Sequence, residues 1–117
     1  MKIKAIEISN EDIVNVIVTA LEGGSNYWYN LPDLSMVDRV KGKSQSENIA
    51  LSALNGKAIP VNDLEDEDEH LGDLSAENIE RGIKLFIEDG REFDAGIDAD
   101  EADVLFQFMV MGEIVFG

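Results

Sequence analysis

The sequence predicts an α+β fold: a single small domain of about four helices packed on a short, mainly antiparallel sheet of about three strands. Three observations carry that expectation. Stretches with a side-chain cap and apolar residues at helical spacing recur along the chain, the other apolar stretches are short and β-branched, and 44% of the 117 residues are hydrophobic. A chain of this size buries roughly two-thirds of its surface on folding, enough for one core. No internal repeat or flexible linker divides it, so residues 1–117 read as one domain.

Residues 2–8 read as a strand, with Ile6 and Ile8 alternating with Glu7 beside Ile3 and Ala5. Ser9 is an N-cap, and Glu11 and Asp12 lie in the first turn, where the helix dipole favours acids. A helix should run from Glu11 to about Glu22, burying Ile13, Val16, Ile17, Ala20 and Leu21, with Gly23-Gly24 as a left-handed stop. An aromatic loop or short extended segment follows over residues 25–33. Ser44 to Leu54 is a weaker helix closed by Asn55-Gly56, a strong turn signal. Lys57 to Val61 is then a short strand, and Pro60, which cannot donate to a ladder, places it at an edge or makes its pairing partial.

Asp63 to His70 is an acidic run with little to bury, read as a solvated loop, and Leu71 to Leu74 is extended. Ser75 caps a helix from Ala76 to Asp89, striped by Ile79, Ile83, Phe86 and Ile87 and closed by Gly90. Asp98 caps the last helix, with Glu101 in the capping-box position, and the helix runs through Leu105, Phe108 and Met109 to Met111. Residues 113–116 read as a terminal strand that could pair with the first.

Charge is the sharpest numerical feature. Twenty-five carboxylates against nine Lys and Arg give a formal net charge of -16. Residues 1–60 carry seven acids and six bases, whereas residues 61–117 carry eighteen acids and three bases. That balance opposes direct binding to nucleic acid or to an anionic membrane, since both are negative. No apolar run approaches a membrane span, and the N-terminal stretch, with Lys2 and Lys4, has no signal-peptide character, so the expected location is cytoplasmic. The absence of cysteine excludes disulfides, thiolate metal sites and cysteine nucleophiles.

The carboxylates do not form a calcium loop. Counted from Asp63, the sixth and twelfth positions are Asp68 and Leu74; counted from Asp98, they are Asp103 and Met109, where an EF-hand needs Gly and Glu. No cofactor or metal is expected. His70, the only histidine, lies at the end of the acidic run and reads as a solvated side chain. One histidine and scattered serines assemble no nucleophile, base and orienting group, and Gly23-Gly24-Ser25 is too short for a phosphate loop, so an enzyme is not expected. Tyr27-Trp28-Tyr29 could stack a base, but no cationic track precedes it. Large amphipathic rings more often pack a core, and any ring left exposed would anchor a protein partner.

At Ala20-Leu21-Glu22-Gly23-Gly24-Ser25-Asn26-Tyr27-Trp28-Tyr29 the chain resembles a group of short acidic proteins encoded by bacteriophages and integrated mobile elements. The closing segments, Ile97 to Asp103 and Met111-Gly112-Glu113-Ile114-Val115-Phe116-Gly117, are similar to that group as well, while residues 31–60 look particular to this chain. The resemblance carries no catalytic or binding residue. It implies a phage or mobile-element product acting in a bacterial cytoplasm, in a setting where short acidic proteins include nucleic-acid mimics.

The expected function is therefore a non-enzymatic accessory protein that binds a basic protein partner. The residues expected to carry it are Glu65, Asp66, Glu67, Asp68 and Glu69 with Asp98, Asp100 and Asp103. The alternative is a small interaction module, or a homodimeric scaffold, anchored by Tyr27, Trp28 and Tyr29. The competing reading of the charge is that an acidic face merely keeps the domain soluble.

Overall fold

Each helix begins where a side-chain oxygen takes up a free backbone N–H. A computed structural model describes residues 1–117 and contains four α-helices: α1 (Asn10–Thr19), α2 (Gln45–Leu54), α3 (Ala76–Glu88) and α4 (Ala99–Met111). Ser9 Oγ accepts from Asp12 N–H, Ser44 Oγ from Glu47 N–H, Ser75 Oγ from Asn78 N–H, and Asp98 Oδ1 from Glu101 N–H, all within 3.2 Å. At α2 the pairing is reciprocal, since Ser44 N–H donates to Glu47 Oε1 at 3.0 Å. At α4 it is not. Glu101 turns away from the cap and takes two hydrogen bonds from Arg91 Nη1, at 2.7 and 2.9 Å, so the expected capping box is replaced by an ion pair.

The N-terminal segment is a hairpin, not one strand. β1 (Lys2–Ile3) pairs antiparallel with β2 (Ile6–Glu7) around Lys4 and Ala5. Both turn residues have positive φ, 50° and 67°, the pattern of a tight hairpin turn. The fold-back buries Ile3 and Ile8 but leaves Ile6 exposed, so Ile6 and Ile8 do not share a core face.

The α-helical part of α1 ends at Thr19, and residues Ala20–Gly24 widen into a π-helical turn closed by Ser25 N–H to Ala20 O at 2.8 Å. Gly23 and Gly24 are not left-handed caps, because neither has a positive φ. Gly24 is needed for another reason. A Cβ there would sit 2.2 Å from the Ala99 carbonyl oxygen, so only glycine lets the turn press against the start of α4.

A three-stranded antiparallel sheet has the order β3 (Tyr29–Asn30), β4 (Ile59–Asp63), β5 (His70–Leu74). Ile59 pairs with Leu74 and Tyr29 with Asp63, with a bulge between Val61 and Asn62. β4 is thus the central strand and not an edge, and of the two expectations for Pro60 it is the partial pairing that the structure shows. Pro60 is tolerated because β3 reaches only Asn62 and Asp63, leaving β4 a partner on one side alone at Pro60.

Residues 113–116 join no sheet, and the first and last segments do not pair. Their backbone bonds to one side chain instead. Gln107 Oε1 accepts from the N–H groups of Val115 and Phe116, both at 2.8 Å, and Gln107 Nε2 donates to Phe116 O at 3.1 Å. A primary amide presents the same donor and acceptor as a peptide group, so Gln107 serves in place of a neighbouring strand.

The core lies around α4, whose residues Leu105 to Val110 are all buried, as expected for a helix packed on most of its faces. Ile79, Ile83 and Phe86 of α3, Ile13, Val16 and Ile17 of α1, and Ile59, Val61 and Leu74 of the sheet close over it. At Gly82 a Cβ would lie 2.6 Å from Met109 Cα, which records how closely α3 and α4 cross. No helix is long and apolar enough to cross a membrane.

Candidate functional site

The aromatic segment and the last helix meet at one carboxylate. Asp103, in the second turn of α4, is only 8% exposed. Its Oδ1 accepts from Ser25 Oγ and Trp28 Nε1, both at 2.7 Å, and from Gln107 Nε2 at 3.2 Å. Its Oδ2 accepts from the Tyr27 hydroxyl at 2.6 Å. Four donors satisfy a buried charge that would otherwise be costly, and hydrogen bonds to an ionised acceptor are the stronger kind. Asp103 is therefore not part of an outward acidic face. Its carboxylate is turned inward and its acceptor positions are taken.

Trp28 is 2% exposed and stands inside the core. Its ring stacks on Phe116 at 5.2 Å with an 11° interplanar angle, and it packs against Phe106 at 5.5 Å. It is not available as a surface anchor. Tyr29 is half-buried, packs edge-on against Phe106 and donates its hydroxyl to the Leu21 carbonyl. Burial first, and the Glu22 charge second, push the Tyr29 pKa above its ordinary value. Tyr27 alone keeps a large exposed area, at 47%. Its hydroxyl nonetheless points inward, and desolvation followed by the hydrogen bond to Asp103 pushes its pKa up to about 12.

The acidic hairpin is the reverse case. Glu65, Asp66, Glu67, Asp68 and Glu69 are all exposed, between β4 and β5. The run is solvated as expected, yet its backbone is held at several points. Asp63 Oδ1 accepts from the N–H groups of Glu65 and Asp66 at 2.8 and 3.2 Å, an Asx turn. Asn62 Nδ2 donates to Glu67 O at 2.7 Å, and Asp63 N–H to Glu69 O at 2.9 Å. Leu64 N–H donates to Trp28 O at 2.8 Å, which ties the hairpin base to the aromatic segment. None of the five side chains has a cationic partner. The ion pairs of the chain engage Glu7, Glu47, Glu88, Asp89 and Glu101 instead.

Asp98 and Asp100 are exposed at the start of α4, and Asp100 lies near enough to Tyr27 for its charge to raise the tyrosine pKa. No hydrogen bond joins them to Glu65–Glu69. His70 spans Asn62 Oδ1 and Asp73 Oδ1, each at 3.3 Å, on the exposed side of β5. No three carboxylate or imidazole groups converge as metal ligands would.

Sequence reasoning missed Ser25 and Gln107. Gln107 carried a readable signal, since Asp103 and Gln107 are four residues apart within an otherwise apolar helical stretch, a spacing that places both on one face. Ser25 carried none. Comparison of the chain with protein-family models, with curated proteins and with solved structures gives no match.

Proposed function

We propose that this chain is a non-enzymatic accessory protein that binds a basic protein partner through the carboxylates of its C-terminal half, as a nucleic-acid mimic would. One observation carries the reading: Glu65–Glu69 form a backbone-pinned hairpin of exposed carboxylates with no cationic partner. A backbone already held in place loses little further freedom when its carboxylates meet lysines and arginines, and unpaired carboxylates raise the association rate by steering. Asp98 and Asp100 supply further exposed charge; Asp103 does not. The resemblance to short acidic phage and mobile-element proteins supports the same setting, a bacterial cytoplasm.

The test is retention of bacterial DNA-binding proteins on the immobilised chain at low salt. Basic proteins should be retained, should be released by duplex DNA or by added salt, and should be lost from an E65Q/E67Q/E69Q variant. Equal retention by the neutralised variant overturns the reading.

A second reading, a small interaction or homo-oligomeric scaffold module, has one observation behind it. Tyr27, Ile114 and Val115 are exposed large side chains on the two segments that Gln107 and Asp103 tie together. Trp28 cannot serve that role from the core. Light scattering in which Tyr27→Ala lowers the apparent mass would favour this reading over the first.

A further inference from the structure

The charge of the N-terminal half is placed as unevenly as that of the C-terminal half. Arg39, Lys41 and Lys43, a third of the nine Lys and Arg of the chain, fall within five residues. All three line one cavity of about 510 Å³ between the 37–43 loop and the start of α2. That volume lies within the roughly 300–1,000 Å³ usual for small-molecule sites. Arg39 and Lys41 make no ion pair, and Lys43 reaches Glu47 only at 3.9 Å. In a chain of net charge -16, two cations beside one cavity are left without any of the twenty-five carboxylates.

The loop is built onto the helix. Asp38 N–H donates to Ser52 Oγ at 3.0 Å and Val40 N–H to Asn48 Oδ1 at 3.2 Å. Lys43 N–H closes a turn onto Val40 O at 3.2 Å. Asn48 lines the cavity and is only 6% exposed. Its oxygen is committed to Val40, and its Nδ2, which has no protein acceptor, remains in contact with solvent. At the start of α2 the capping box engages the N–H groups of Ser44 and Glu47. Leu34, Val37 and Val40 form the apolar part of the wall.

A mostly buried asparagine, three cations and an apolar wall around one space fit a molecule with an anionic head and an apolar or ring-shaped body. Arginine and lysine together suit a phosphate, which offers several acceptor oxygens and more than one negative charge. We infer that the cavity between the 37–43 loop and α2 binds a phosphorylated small molecule of nucleotide size, its phosphate on Arg39, Lys41 and Lys43 and its body against Leu34, Val37 and Val40. This site is independent of the acidic hairpin and its partner.

The test is a nitrogen-edited NMR titration of the full chain with AMP, with inorganic phosphate and with adenosine, at physiological salt. AMP should produce saturable shifts confined to the 39–43 amides and the Asn48 side-chain amide, with phosphate weaker at the same signals and adenosine weaker still. An R39Q/K41Q variant should bind AMP about tenfold or more weakly. Asn48→Asp keeps an acceptor for Val40 N–H but places a negative charge on the cavity, so it should stay folded and lose AMP by a similar factor. Absence of saturable AMP shifts, equal binding of phosphate and AMP, or unchanged binding by either variant overturns the inference. So does movement of these signals with protein concentration alone, which would assign the cavity to a second copy's acidic hairpin.

Discussion

The indole N–H of Trp28 donates to the carboxylate of Asp103 at 2.7 Å, joining residues seventy-five positions apart in the buried interior. Ser25 and Tyr27 bond to the same carboxylate. The bond makes the aromatic segment and the last helix one structural unit.

Asp103→Ala should therefore be among the most damaging single changes in the molecule. It strands the buried Ser25 hydroxyl and Trp28 indole without an acceptor, and a loss of about 3–5 kcal/mol is expected on breaking such a buried charged network. Asp103→Asn keeps the size and one acceptor and should cost about 1–3 kcal/mol. Urea unfolding followed by tryptophan fluorescence measures both; a loss below about 1 kcal/mol for the alanine variant would deny the carboxylate its organising role.

Alkaline pH should act on the same unit. The Tyr27 pKa is about 12 against an ordinary 10.0, so the folded state binds the phenolic proton more tightly than the unfolded state. Its contribution is fully present below pH 10.0 and fades as pH rises through about 12. Stability should fall across that window, and Tyr27→Phe should flatten the decline, the remaining slope coming partly from Tyr29, whose pKa is also raised. An unchanged slope in the Phe variant would show that the Tyr27 hydroxyl is not held as described.

The paired glycines separate two kinds of requirement. Gly24→Ala drives a methyl group to 2.2 Å from the Ala99 carbonyl and should destabilise by about 2 kcal/mol, in the range of overpacked sites. Gly23→Ala meets no atom within 4 Å and should be neutral or slightly stabilising. Thermal melting of the two variants side by side checks the contrast, and equal effects would contradict the close approach of the π-helical turn to α4.

The four helix starts were legible in the sequence because capping is local: Ser9, Ser44, Ser75 and Asp98 each act on an N–H three residues ahead. The exposure of Glu65–Glu69 was legible for a similar reason, since nothing nearby in the chain could bury them. What failed was non-local or lacked a chemical marker. Asp103 looked like one more surface acid because its donors at residues 25, 27 and 28 are far away in sequence. Lys4-Ala5 carries none of the usual turn residues, so the first hairpin read as a single strand. Glu113 to Phe116 has strand-like residues, but Gln107 took the place of the neighbouring strand.

Phe116 tests that last contact. Its ring stacks on Trp28 at 5.2 Å, and Phe116→Ala should cost about 1–3 kcal/mol and shift the tryptophan emission to the red as water reaches the indole. An unaltered emission spectrum would mean that the closing segment does not cover Trp28.

The clasp between residues 25–28 and 103–116 also bears on synthesis. While the nascent chain grows, Ser25, Tyr27 and Trp28 have emerged from the ribosome long before their acceptor exists, so this junction closes only after α4 has been released. An N-terminal fragment ending before Asp103 should keep those donors hydrated and remain open to proteases, and folding to the protected form should come as one late event.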